Sequence, residues 1–279
     1  MNIGILGLGL IGGSLGLDLR SHDHHVIGVS RRESTCQKAQ AMGSVSQASQ
    51  DMKLLRDAEV IFICTPLGLI IPKFQELITH LDKSTIITDV GSVKTPVVKA
   101  ISSVWNNFVG GHPMAGNTET GIEAAQYNLF VNKPYVLTPI STTPVVAIAK
   151  IEEIIRQIGA TIYHCQPEQH DQAVSWISHL PVMISASLIA ACNQETDLDV
   201  LELAKKFASS GFRDTSRVGG GNSELGTMMA QYNQQALLRS LQQYRHSLDE
   251  FINLIEQQNW SALEKKLQSN RDMRSEFVD

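Results

Sequence analysis

The sequence predicts an α/β fold. A doubly wound, mostly parallel sheet over residues 1–165 is followed by an all-helical domain over residues 166–279. Three observations predict it. Short apolar runs alternate with helical stretches through the first part, the pattern of a parallel sheet covered on both faces. Of the 20 glycines, 15 precede residue 166, as do 7 of the 9 prolines, and no proline follows Pro181. A stretch free of proline and poor in glycine favours helix. Leu237, Leu241, Tyr244, Leu248, Phe251 and Leu254 step by three or four, which is an apolar stripe on a helix. A length of 279 residues suits two such domains.

In chain order, Met1–Leu6 reads as the first strand, residues 11–21 as a helix and His25–Val29 as the second strand. Gly7-Leu8-Gly9-Leu10-Ile11-Gly12 joins the strand to the helix. Gly7 suits the tight turn, Gly9 admits a pyrophosphate, and Gly12 lets helix and strand pack closely. Leu10 and Ile11 open the helix, whose free N–H groups face the phosphates. In this strand–turn–helix setting the glycines indicate a Rossmann-type dinucleotide site rather than a bare turn.

The second strand ends at Ser30-Arg31-Arg32, where an NAD site places Asp or Glu on the ribose 2′-hydroxyl. Arginines clamp a 2′-phosphate, and Ser30 and Thr35 add hydroxyl donors, so the expected cofactor is NADP. As merely solvated residues the arginines would sit badly at the positive end of the next helix, residues 33–42. A helix at 49–56 and a strand at Val60–Cys64 follow. Cys64-Thr65-Pro66 is either a further cofactor contact or an ordinary strand-ending turn.

A helix at 68–80 and a strand at Ser84–Thr88 lead to Asp89-Val90-Gly91-Ser92-Val93-Lys94 and a helix at 95–104. The strand Phe108–Gly110 leads to the loop Gly110-Gly111-His112-Pro113-Met114-Ala115-Gly116. Both segments follow strands of a parallel sheet and fall at its carboxyl edge, where ligands bind. Ser92 and His112 can then reach one substrate hydroxyl. Histidine titrates near neutrality and suits a proton acceptor. Lys94 reads as a helix-start residue. His22, His24 and His25 lie in a polar turn, and His80, His164, His170 and His246 lack a motif and read as structural or exposed. A helix at 120–126, a strand at Tyr135–Thr138, a helix at 144–158 and a strand at Ala160–His164 complete the first part.

In the helical part, Ser178-His179-Leu180-Pro181 either breaks a long helix or begins one with proline in its first turn. Phe212-Arg213-Asp214-Thr215-Ser216-Arg217 reads as a glycine-flanked link. On a helical turn Arg213 and Arg217 share a face and suit a carboxylate, unless Arg213 simply pairs with Asp214. The apolar stripe within residues 230–258 exceeds what a small bundle buries alone, so a homodimer is expected.

Other classes fit poorly. The net charge is −5, all of it after residue 165, which argues against a nucleic-acid partner. No apolar run approaches the roughly 20 residues that span a bilayer, and no export signal opens the chain, so no membrane partner is expected. Cys36, Cys64, Cys165 and Cys192 lie far apart, which predicts no metal site, no disulfide framework and a reducing, cytoplasmic setting.

Five segments together resemble the prephenate/arogenate dehydrogenase family of tyrosine biosynthesis. They are GLGLIGGSLG at Gly7–Gly16, DVGSVK at Asp89–Lys94, GGHPMAG at Gly110–Gly116, SHLP at Ser178–Pro181 and GFRDTSR at Gly211–Arg217. The resemblance implies a nucleotide-binding domain, a helical dimerisation domain and oxidation of a cyclohexadienol ring with loss of CO2. It implies that His112 accepts the hydroxyl proton and Ser92 bonds the same hydroxyl. Arg217 would bind a substrate carboxylate, with Arg213 and His179 supporting the pocket. Many prephenate-using relatives read HLPH, whereas this chain has Val182 at the second histidine, which points to arogenate. A β-hydroxyacid dehydrogenase would need a lysine early in the helical part, but the first one there is Lys205. An NADP-sensing binding protein would need no Ser92/His112/Arg217 set.

Overall fold

The structure, a computed structural model, describes residues 1–117 and 119–277. Among the described residues the strands are β1 (Asn2–Leu6), β2 (His25–Val29), β3 (Gln47–Ser49), β4 (Val60–Ile63), β5 (Ile86–Asp89), β6 (Phe108–Pro113), β7 (Pro134–Thr138) and β8 (Thr161–His164). They form one sheet in the order β3-β2-β1-β4-β5-β6-β7-β8. Neighbours are parallel except β6 and β7.

Strand β4 shows why the sheet is covered on both sides. All four of its residues are buried, and they alternate between two cores. Val60 and Phe62 join Ile3, Ile5, Leu15 and Leu19, together with Ile151 and Ile154 of α5 (Val145–Gln157). Leu15 and Leu19 belong to α1 (Leu10–Ser21). Ile61 and Ile63 join Leu6 and the apolar faces of α3 (Leu67–Leu77) and α4 (Thr95–Ser102). The strand order reverses at β1, which has β2 on one side and β4 on the other. A crevice for ligand forms at the carboxyl ends of such strands.

Three local expectations are corrected. The helix expected at 49–56 is instead β3 and a 3₁₀ turn, Met52–Leu55, capped by the Asp51 side chain on the Lys53 N–H at 2.9 Å. The helix expected at 120–126 shrinks to the 3₁₀ turn Ile122–Ala124, entered through Gly121 at φ +92°. Strand β6 continues through His112 to Pro113, because Gly110–Pro113 pair antiparallel with Tyr135–Thr138. His112 therefore stands on a strand and not in a loop.

After β8 come α6 (Pro167–Val174), a π turn at Ser175–His179 and α7 (Leu180–Asn193). They run on as one helix from Pro167 to Asn193, 27 residues long, and by length and composition alone it could cross a bilayer. This corrects the apolar run lengths expected above. Pro181 does not end the helix; its missing N–H goes with a shifted hydrogen-bond ladder in the π turn just before it. His170, Asp171 and His179 on this helix are buried and hydrogen-bonded within the protein. Next come α8 (Leu198–Phe207), α9 (Ser210–Ser216) and α10 (Ser223–Tyr232). Residues 212–217 thus form a helix and its cap, not a link.

The described chain divides into two compact units, Met1–Asn233 and Gln234–Asp279. Helices α6–α10 belong to the same unit as the sheet. The second unit pairs α11 (Gln234–Glu256) with α12 (Trp260–Arg274). Lys266 of α12 pairs with Glu250 and lies 5.1 Å from the Phe251 ring centre. Along α11, Leu238, Tyr244, Leu248, Ile252 and Ile255 remain exposed.

Candidate active site

The glycine turn is built as its chemistry requires. Gly7 sits at φ +106°, and a Cβ there would lie 2.6 Å from the Cys64 carbonyl oxygen. A Cβ on Gly12 would lie 2.0 Å from the Gly7 oxygen, so α1 packs directly on the turn. Gly9, by contrast, faces open space, with nothing within 4 Å of where a Cβ would stand. The open space is a cavity of about 400 Å³ lined by Gly7, Leu8, Gly9, Ser30, Arg31, Arg32, Thr35, Cys64, Thr65 and Pro66. Leu10 and Ile11 open α1 beside it and, like Gly12, do not line it. The Thr65 hydroxyl is buried without a partner at the cavity wall, an unmet hydrogen-bonding group. A phosphate-bearing dinucleotide fits this cradle. Burial pushes the Cys64 thiol up, so it stays protonated.

The basic end of the cavity is richer than the sequence suggested. Arg32 is the N-cap of α2 (Glu33–Ala41), and Arg31 is held through its carbonyl by the Gln50 amide at 2.8 Å. Lys38 and Lys73 also line the cavity, and Lys38 pairs with Glu123 of the 3₁₀ turn. The hydrogen bond from Lys38 holds the Glu123 carboxyl below its usual range, with Arg32 adding to the effect. Lys38 was legible in principle, since it lies three residues after Thr35 on the same helix face.

Beyond the cavity, β5 and β6 carry the second group of residues. Ser92 lies on the turn between β5 and α4, half-buried. Asp89 ends β5, and Lys94 is wholly buried and ion-paired with it. Lys94 Nζ also donates to the Gly111 carbonyl at 2.7 Å, and Asp89 accepts the Gly91 N–H at 2.9 Å and the Gly111 N–H at 3.2 Å. Lys94 does start a helix, as its N-cap, but its side chain also anchors β6. Burial lowers its pKa, against the pull of Asp89.

His112 lies within 2.8 Å of His170, which lies 2.8 Å from the Asp171 carboxylate. Burial, then the neighbouring His170, Lys94 and His179, hold the His112 pKa well below its ordinary value. It is therefore a neutral base at physiological pH. Burial raises the Asp171 carboxyl, but donors from His170, Thr95 and Lys94 outweigh this and hold it below its usual range. His170 is buried and bonded to the candidate base, so reading it as a motif-free histidine missed its setting. The signal was faint: an adjacent His-Asp pair one turn into a helix.

His179 joins the same region. Asn233 donates to its Nδ1 at 3.1 Å and to the Asp171 carbonyl at 2.8 Å. His179 Nε2 is buried without a partner. Arg213 and Arg217 lie on α9 and at its C-cap, both exposed. Arg213 pairs with Asp214 at 3.3 Å, while Arg217 has no hydrogen bond or ion pair among the described residues. No described hydrogen bond ties either arginine to the histidine line. Val182 is half-buried on α7, and its Cγ1 is 3.8 Å from a Cβ position on Gly226 of α10.

Comparison with known proteins adds to this geometry. Residues 15–164 match the family model of the prephenate dehydrogenase nucleotide-binding domain, and residues 166–269 match that of the prephenate dehydrogenase dimerization domain. The prephenate dehydrogenase of Bacillus subtilis is 30% identical over 277 residues, covering 97% of this chain and 74% of the relative. The crystal structure of Synechocystis arogenate dehydrogenase is 55% identical, covers 100% of both chains and superposes with a TM-score of 0.92. A prephenate dehydrogenase from A. aeolicus, solved with hydroxyphenyl propionate and NAD+, shares the fold with a TM-score of 0.94 at 24% identity, over 100% of this chain and 98% of its own.

Proposed function

The chain belongs to the prephenate dehydrogenase family, and on that footing we propose that it oxidatively decarboxylates arogenate to tyrosine with NADP as hydride acceptor. His112 carries the reading: a histidine kept neutral by its surroundings, on the strand edge of a dinucleotide-binding sheet. The substrate assignment is supported by the similarity over the full chain to Synechocystis arogenate dehydrogenase and by Val182, which offers no donor to a ketone and no repulsion to an amine.

NADP, when bound, supplies the acceptor for a hydride from the ring carbon bearing the hydroxyl. Gly7, Gly9, Leu10, Ile11 and Gly12 form the phosphate cradle in this reading, with Cys64, Thr65 and Pro66 as its wall. Ser30, Arg31, Arg32 and Thr35 hold the 2′-phosphate. His112 takes the hydroxyl proton, and Ser92 hydrogen-bonds the same oxygen. The forming ketone draws out the electrons of the breaking C–CO2 bond, and aromatisation makes the step downhill. Arg217 binds a substrate carboxylate, with Arg213 and His179 around it. The work divides at residue 165, with nucleotide held before it and substrate contacts and homodimer contacts supplied after it. Free cysteines fit a cytoplasmic setting.

The alternatives are weaker. Use of prephenate, giving 4-hydroxyphenylpyruvate, keeps every residue role except that of Val182. A β-hydroxyacid dehydrogenase lacks its lysine here, because Lys205 and Lys206 lie near the end of α8. An NADP sensor leaves the neutral His112 without a purpose. Turnover assays with arogenate and prephenate, each with NADP and NAD, test the proposal. The highest kcat/KM for arogenate with NADP is expected; a higher value for prephenate or NAD overturns the corresponding half.

A further inference from the structure

Three polar side chains run in line from the sheet edge into α6. His112 Nδ1 lies 2.8 Å from His170 Nε2, and His170 Nδ1 lies 2.8 Å from Asp171 Oδ1. The Asp171 carboxylate also accepts the Lys94 N–H at 2.7 Å and the Thr95 N–H at 2.8 Å, at the start of α4. An ionised carboxylate only accepts. A neutral His170 then carries its proton on Nδ1 and presents a lone pair at Nε2. That lone pair requires the His112 proton to be on Nδ1. The lone pair of His112 is left on Nε2, the nitrogen outside the line.

We propose that His170, backed by Asp171, is a positioning residue that fixes His112 as the Nδ1–H tautomer and shares its charge once Nε2 is protonated. The proposal rests on His112 being the base. In the step, the substrate O–H bond breaks and its proton forms the Nε2–H bond of His112. The electron pair left on oxygen forms the C=O bond as the hydride departs to NADP. The His112 Nδ1 proton shifts toward His170 Nε2, and the His170 Nδ1 proton stays hydrogen-bonded to Asp171. The charged groups facing His112 favour this direction. Lys94 is balanced by Asp89, and His179 is held neutral, so Asp171 is the anion at the end of the line.

The test combines ¹⁵N NMR of histidine-labelled full-length protein with kinetics on arogenate and NADP. Wild type should show His112 protonated at Nδ1 and not at Nε2. In His170→Phe, His112 should become a mixture of tautomers, and kcat/KM should fall about 10- to 10²-fold with NADP affinity unchanged. His170→Gln, whose amide oxygen still accepts from Nδ1, should keep the tautomer and fall less. If His170→Phe does not fold, the wild-type spectrum and the Gln variant decide. An Nε2–H tautomer in wild type, or variants with unchanged kcat/KM, would overturn the proposal. Failure of the underlying reading is separate: normal turnover in His112→Asn removes the base whatever the tautomer.

Discussion

Lys94, wholly buried, donates to the Gly111 carbonyl at 2.7 Å while paired with Asp89, and so ties the start of α4 to the residue before His112. A buried cation this close to a base would be a liability if unpaired. Here Asp89 answers it, and two backbone N–H groups complete the carboxylate's bonding.

Removing Lys94 leaves Asp89 charged and buried. Lys94→Ala should cost about 3–5 kcal/mol, the usual result of breaking a buried pair from one side. Urea denaturation at pH 7 measures this. Lys38→Ala, which opens an exposed pair, should leave stability nearly unchanged.

The cofactor cavity predicts a preference. Arg31→Ala with Arg32→Ala should erase most of the advantage of NADP over NAD, a loss of roughly 2–5 kcal/mol if the contact is desolvated. Fluorescence titration with both cofactors reads it. Equal affinities in the unmutated protein would remove the basis for NADP.

His112→Asn should lower turnover by at least ~10²-fold with cofactor affinity nearly intact. The acid limb of the pH–rate profile should disappear with it. A variant that keeps both turnover and limb would take His112 out of the chemistry.

Stability should fall in mild acid. Burial pushes His179 down to about 4, whereas it titrates near 6.5 when unfolded. Between those values the unfolded chain binds more protons, so stability is full above pH 6.5 and declines as pH drops toward 4. The lowered pKa of His112 acts in the same direction. His179 alone accounts for about 3 kcal/mol over that window. Comparing urea midpoints at pH 7 and pH 4 measures the loss, and His179→Gln should reduce it.

The proposed function divides substrate recognition between two residues. In the proposed function Arg217 binds a carboxylate common to both candidate substrates, so Arg217→Ala should raise KM for either, with a smaller effect on kcat. Val182→His should narrow the gap between them by improving prephenate use. An unchanged ratio of the two kcat/KM values would show that Val182 takes no part in the choice.

Much of the fold was legible because its causes are local. The glycines at 7, 9 and 12 encode a turn that only glycine permits at Gly7 and Gly12. The runs in β1 and β4 encode strands buried on both faces. The motif residue Ser92 follows β5, and His112 lies near the carboxyl end of β6, on the sheet edge that the strand order predicted. Seven of the eight strands and the glycine cradle were therefore readable from the sequence, and β3 was not. What the sequence did not determine depends on partners distant in the chain. Strand β6 runs through His112 because of its pairing with β7, where His112 lies opposite Val136. Helix α6 brings His170 against His112 across a separation of 58 residues, and Lys94 lies beside Asp171 across 77. A histidine reads the same in sequence whether water or an aspartate faces it. Only packing removes the water and supplies the partner, and that decides its proton and its role.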